Sequence, residues 1–266
     1  MIRINQIKLD IGTDEKILNS KIQKLLRLKN SSFTYSIVKK SIDARKKEHI
    51  MYIYSVDVKV DGIDETALVR KLNNKDIIIN KNIKYVFPQI KDTHKNKKIA
   101  IIGSGPAGLF CGLLLARAGF KPVIYERGGN VHERTGIVNA FFETGVLDTE
   151  TNIQFGEGGA GTFSDGKLNS VIKEKDGRIR KVLETFVEFG ASPEILYVNK
   201  PHVGTDVLSV VVSNIRNEII RLGGTVNFNS KVTDIYIDTG KITGIRVNDE
   251  YDEEFNAVVL APGHSA

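Results

Sequence analysis

The sequence predicts an α/β chain in two parts: a small α+β unit over residues 1–95 and a larger parallel-sheet unit over residues 96–266. Three observations predict it. Residues 97–126 read as buried strand, glycine-rich turn, helix and second strand, the order of a βαβ crossover. Residues 1–87 give short apolar runs in the order βαββαβ, as in a ferredoxin-like unit. Charge divides the same way. Residues 1–95 hold 20 Lys and Arg against 11 Asp and Glu, a formal +9, whereas the remainder is a formal −3.

In the first part, residues 1–9 alternate well enough for a strand. Asp14 is placed to cap a helix over residues 15–28, with Ile17, Ile22, Leu25, Leu26 and Leu28 as its apolar stripe. Residues 33–42 and 50–60 read as two further strands, with the Asp61-Gly62 turn after them. Residues 65–72 suit a short second helix and residues 83–87 a last strand. Asp43-Ala44-Arg45-Lys46-Lys47 is a compact charged turn. It is read either as a solvated hairpin end or as a phosphate contact. The polar residues 88–96 form a linker.

The second part opens on Ile99-Ala100-Ile101-Ile102, an apolar strand without alternation, as a sheet covered on both faces requires. A glycine-rich turn then opens a helix that continues over residues 109–118, with Gly119 as its C-cap, and a strand over residues 121–125 comes after it. A long glycine-rich insertion comes next. Beyond it, helices are expected over residues 181–189 and 207–222, the latter on Val207, Val211, Ile215, Ile219 and Leu222. Residues 225–228 read as a strand, residues 231–237 and 241–247 as a hairpin, and residues 255–261 as a final buried strand. Val258 to Leu260 are expected in the centre of the parallel sheet, beside Ile99–Ile102.

The turn Gly103-Ser104-Gly105-Pro106-Ala107-Gly108 carries the chemistry. Gly103 permits a tight turn, Gly105 lets main chain approach a pyrophosphate, and Gly108 lets the helix lie close to the strand. Free amides and the helix dipole then face negative charge. Glu126 stands eighteen residues beyond Gly108, where a carboxylate accepts both hydroxyl hydrogens of an adenosine ribose. This constellation predicts a dinucleotide site. From Gly156 to Gly166 the chain holds five glycines, and Phe155 and Phe163, which prefer burial, argue against a freely mobile loop. So many permissive positions cost folding entropy, which a close approach of main chain to a flat ring or phosphate would justify. That favours FAD over NAD, with an NAD(P)-binding protein as the alternative.

Three segments carry a resemblance over all 266 residues: Ile101 to Gly108 with Tyr125-Glu126-Arg127-Gly128, Gly156 to Leu168, and Val259-Leu260-Ala261-Pro262-Gly263-His264-Ser265-Ala266. The chain resembles the uncharacterised FAD-dependent dehydrogenases, within the wider glutathione-reductase-like flavoprotein superfamily. The resemblance implies a Rossmann-like FAD-binding domain after the small α+β domain. It implies that Gly103, Gly105, Pro106, Ala107 and Gly108 face the pyrophosphate, and that Glu126 binds the ribose. Arg127 begins the loop near adenine and pyrophosphate, Arg134 approaches the phosphates, and Val232 meets adenine through its backbone. Gly159, Ala160, Gly161 and Thr162 join the cofactor site, and Ala261 to Gly263 return the chain to it. Members of such a family are longer, so the resemblance implies that residues 1–266 are an incomplete copy, without the segment that names the substrate.

The resemblance implies an FAD-dependent oxidoreductase, or the cofactor-binding part of one, acting on a small molecule with NAD(P)H as a candidate electron donor. The flavin carries the redox step, and no acid–base pair is assigned. Lys167, His202 and His264 are candidates near the flavin, each with a structural or solvated alternative. Cys111, the only cysteine, excludes an internal disulfide and a cysteine-based metal cluster. Apolar stretches are too short to span a membrane and residues 1–20 lack a secretory pattern, so the expected location is cytoplasmic. The +9 first part keeps a second reading open, an RNA-binding or RNA-modifying flavoprotein.

Overall fold

The computed structural model describes residues 1–29, 31–81, 83–92, 96–168, 172 and 174–263. They form two compact units. The first takes Met1–Tyr85, Leu168–Glu184 and Ser192–Pro201; the second takes Val86–Lys167, Thr185–Ala191 and the chain from His202. The units therefore interleave along the chain.

The first unit runs β1 (Ile2–Asp10), α1 (Ile17–Leu25), β2 (Phe33–Asp43), β3 (Met51–Val60), α2 (Glu65–Leu72) and β4 (Ile77–Ile79). The sheet order is β2-β3-β1-β4, with every neighbouring pair antiparallel. This is the ferredoxin-like arrangement the βαββαβ order predicts. Ile2, Ile4, Leu18, Ile22, Leu26, Val56 and Val58 form its core. In β1 the buried positions switch from even to odd, Ile2 and Ile4 and then Ile7 and Leu9. A bulge between Ile4 and Ile7, with Gln6 at φ 61°, keeps both pairs on the core face.

Two expectations for this unit need correction. The first helix is shorter than residues 15–28: Asp14 accepts from the Lys16 amide instead of capping a full turn, and the chain leaves the helix after Leu25. The last strand is Ile77–Ile79 and not residues 83–87. Ile77 inserts into the core opposite Ile4, whereas Ile83 and Val86 are exposed. The charged turn after β2 is internally satisfied, because Arg45 donates to both carboxylate oxygens of Asp43. That favours the solvated hairpin end. The first unit also holds the start of α5 (Arg178–Glu188).

The second unit is Rossmann-like. Its parallel sheet is ordered β11 (Ala257–Leu260), β5 (Ile99–Ile102), β6 (Val123–Tyr125), β7 (Thr225–Asn227). On one face, α3 (Pro106–Arg117) and α6 (Thr205–Arg221) cover it, and Gly112 of α3 meets Ile124 and Ile219 so closely that a Cβ would lie 2.7 Å from Ile124. On the other face lies an antiparallel sheet of β8 (Val232–Asp238), β9 (Lys241–Val247) and β10 (Tyr251–Glu254). Its Ile245 and Val247, with Phe255, pack on Ala100 and Tyr125. Burial on both faces explains why β5 and β11 show no alternation.

Val258–Leu260 pairs with Ile99–Ile102 as expected, but β11 stands at the sheet edge among the described residues, not in the centre. Helix α3 starts at Pro106, within the turn expected to open it, because Pro106 is pre-set for the first helical position. A helix the sequence pattern hid, α4 (Val131–Thr144), follows β6. No helix among the described residues is long and apolar enough to cross a membrane.

Ile22→Ala removes a fully buried side chain from the first core. It should lower stability to urea by about 2–4 kcal/mol. Ile42→Ala, at a position 65% exposed, should change it by less than about 0.5 kcal/mol. Equal effects would contradict the assigned core.

Candidate functional site

The turn from β5 into α3 is built against the end of β11. Gly103 has φ +101° and donates its amide to the Tyr125 carbonyl. A Cβ on it would lie 2.3 Å from the Ala261 oxygen, so both backbone conformation and space demand glycine. Gly105 is the N-cap of α3, has no capping side chain, and is followed by Pro106 at the first position. The Ala107 and Gly108 amides therefore lack intrahelical acceptors. A Cβ on Gly105 would meet nothing within 4 Å, so this wall is open where main chain could receive an anion. Gly108 has the opposite role: a Cβ there would lie 1.9 Å from the Gly103 carbonyl oxygen. It brings helix against turn and does not line the cleft.

Glu126 follows β6 and is 4% exposed. Its Oε2 accepts from the Ser104 amide (2.8 Å) and hydroxyl (2.9 Å), and its Oε1 from the Gly128 amide (3.0 Å). Three donors thus fix a carboxylate that borders the open space above α3.

The opposite wall is the glycine-rich loop, and one side chain shapes it. Arg134, on α4, has no exposed surface. Its Nε donates to the Asn152 carbonyl, its Nη2 to Ile153, and its Nη1 to the Glu157 and Gly159 carbonyls and the Thr162 hydroxyl, all within 2.7–2.9 Å. The guanidinium also lies over the Phe163 ring at 4.7 Å. Burial pushes it down to about 10 although Glu126 and Glu157 act the other way, so it stays charged near neutral pH. This corrects the expectation that Arg134 reaches the phosphates: its donors face loop carbonyls. Thr162 is buried by the same contact, and neither it nor Gly161 lines the cleft.

Glu157, fully buried, fastens the loop to two helices. Its Oε2 accepts from the Val131 amide at the start of α4 and from Arg216 of α6. Its Oε1 has no hydrogen-bond partner among the described residues, and burial pushes its carboxyl up. The Gly158 amide donates to the Ser104 carbonyl, which closes the loop onto the β5–α3 turn.

Between these walls lies a cleft of about 900 Å³. The structure brings to it the sequence-predicted Gly103, Gly105, Pro106, Ala107, Glu126, Arg127, Gly159, Ala160, Val232, Ala261 and Gly263. Gln154, Phe155, Ser230 and Lys231 also line it and were not anticipated. Arg127 lies over the Phe155 ring at 4.2 Å, and both Arg127 and Lys231 pair with Glu150. These two cations flank one end, and only the fold brings them together. Lys167 is exposed and paired with Asp165, its backbone pairs with that of His202 in an isolated antiparallel bridge, and neither residue lines the cleft. Cys111 is half-buried within α3, and burial pushes its thiol up. His264 lies outside the described residues.

Residues 97–266 match the model of the pyridine nucleotide-disulphide oxidoreductase family. The chain belongs to this family. The family is one associated with FAD. Residues 1–59 match DUF8436, a domain of unknown function. A protein of Clostridium beijerinckii, described as uncharacterized, is 45% identical over all of this chain and 49% of its own length. The chain thus spans about half of that relative. Thioredoxin reductase of Pneumocystis jirovecii is 36% identical over 30% of this chain and 21% of its own. Among solved structures, the THI4 protein of Thermovibrio ammonificans is 19% identical, with a TM-score of 0.39 over 65% of this chain and 60% of that one.

Arg134→Lys keeps the charge but has three donors where the fold uses a five-donor fork. It should cost about 3–5 kcal/mol in urea unfolding and expose residues 148–166 to limited proteolysis. Wild-type stability and an unchanged digest would show that the loop holds itself.

Proposed function

We propose that the second unit binds FAD and that the chain is an FAD-dependent oxidoreductase, or the cofactor-binding part of one, related to the uncharacterised FAD-dependent dehydrogenases. One observation carries the reading: the open first turn of α3, the Glu126 carboxylate and the main chain of Gly156 to Ala160 converge on one cleft. The residues fit the group. Gly105 offers the gap that a pyrophosphate needs, since any Cβ would fill it.

In this reading the Ala107 amide at the open first turn of α3 faces the pyrophosphate, with the helix dipole behind it. Glu126, already oriented by Ser104 and Gly128, accepts the ribose hydroxyls. Arg127 and Lys231 border the adenine end, with the backbone of Val232 beside them. Gly159 and Ala160 present main chain to the ring end, held from behind by Arg134. The flavin, when bound, supplies the electron and hydride transfer. The chain binds it, orients it and limits water access along the loop wall.

Purified protein incubated with FAD and desalted should retain absorbance between about 350 and 500 nm, the signature of a bound flavin. Titration with NAD⁺ should give weaker binding. Glu126→Ala should weaken FAD about 10- to 100-fold, the loss expected for hydrogen bonds to a charged group. Tight NAD⁺ binding without FAD retention would replace the reading. An unchanged FAD affinity in Glu126→Ala would remove the ribose role.

A further inference from the structure

The first unit contains a cleft of its own, about 840 Å³, which the cofactor reading does not use. It lies on the sheet face that alternates away from the core. Ile2, Ile4, Val56 and Val58 point inward, so Arg3, Ser55 and Asp57 stand on the other face. There the register aligns Ser36, Asp57 and Arg3 in one cross-strand row. Arg3 donates Nε and Nη2 to the two oxygens of Asp57, each at 2.8 Å, and Asn80 adds a third bond. Asp57 is 5% exposed, and this pairing neutralises its charge. Ser36 and Ser55 are small, which leaves the volume above the row open.

The other acids lining the cleft are also engaged. Glu184 pairs with Arg180, and Glu174 accepts from the Asp176 and Ile179 amides at the start of α5. Lys39, Lys81 and Lys84 line the same space and make no ion pair among the described residues. The ammonium groups of Lys39, Lys81 and Lys84, with Lys181 also in the lining, therefore stand around a concave polar floor on which Arg3 and Asp57 cancel, and they outnumber the charge that Glu174 keeps. A cleft with one sign of charge and low-dielectric walls concentrates ions of the other sign. Lysine is a common point-charge partner of phosphate. The volume falls within the range of small-molecule sites, about 300–1,000 Å³. Among the described lining residues only Tyr85 offers an aromatic ring, whereas single-stranded nucleic acid needs successive stacking platforms.

From these observations we infer that the first unit binds a small polyphosphate-bearing ligand of nucleotide size, held by Lys39, Lys81 and Lys84 over the Arg3–Asp57 floor. The site is separate from the FAD reading and does not depend on it. The test is calorimetric titration of the full chain with inorganic tripolyphosphate, with and without excess FAD. Saturable binding is expected, unaffected by FAD. The double variant Lys39→Glu/Lys84→Glu should weaken it by at least about tenfold, because each reversal opposes the ligand's charge. Lys39→Arg/Lys84→Arg should retain it, and reversal of the exposed turn residues Lys46 and Lys47 should leave it unchanged. Thermal melting of each variant distinguishes lost binding from lost folding. The inference is overturned by absence of saturable binding, by displacement with FAD, or by equal weakening in the Lys46/Lys47 control. Tighter, length-dependent binding of a single-stranded RNA oligonucleotide, lost in the same Lys39/Lys84 variant, would assign the cleft to a polynucleotide and also overturn it.

Discussion

The cleft of the second unit depends on one buried guanidinium. A loop with five glycines between residues 156 and 166 has little apolar surface and much backbone freedom to lose. Arg134 replaces a core for it. Desolvating an arginine costs several kcal/mol, and the contacts with four carbonyls, one hydroxyl and the Phe163 face offset that cost. Carbonyls drawn inward toward Arg134 fix the main chain of Gly156 to Ala160 as a wall. Glu157 then ties that wall to α4 and α6, and Gly158 ties it to the β5–α3 turn.

The facing wall is set by closeness, not by charge. Gly103 rests against the Ala261 carbonyl and Gly108 against Gly103, so strand, turn and helix meet without side chains between them. Gly105 sits between these two contacts with open space before it. Sheet burial on both sides keeps this geometry rigid: Ile124 is held under α3 and α6, and Tyr125 under Phe255 and Val247. The carboxylate of Glu126 enters this frame already hydrogen-bonded, so its orientation is set before any ligand arrives.

Much of this was legible in the residues, for stated physical reasons. Ile99–Ile102 and Val211, Ile215 and Ile219 are long or periodic apolar signals, and they emerged where expected. The place of Glu126 beside the glycine turn follows from its spacing. Helix α4 did not emerge, because Val131 and Val138 are its only buried aliphatics and Phe142 is exposed. Its Asn130–Glu133 capping box was the available signal. Strand β10 is four exposed residues, which carry no alternation to read. Arg134 could be marked as important from its position, but its direction is a tertiary fact. The same holds for Lys231 and Arg127, joined only through Glu150. That residues 168–184 and 192–201 belong with the first unit is likewise beyond local pattern.

In the proposed FAD complex a pyrophosphate rests against the main chain at Gly105, and that position permits a direct trial. Its φ of −67° suits any L-residue, and an added side chain would touch no protein atom within 4 Å at its Cβ. Gly105→Leu should therefore fold and melt as the parent chain does, while the side chain fills the gap above α3. The measurement is FAD affinity of this variant by fluorescence titration, beside its melting temperature. An unchanged melting temperature with FAD affinity reduced by at least about 100-fold, or about 2.7 kcal/mol, is the predicted result. A folded Gly105→Leu variant that binds FAD as the parent does would contradict the placement of the pyrophosphate.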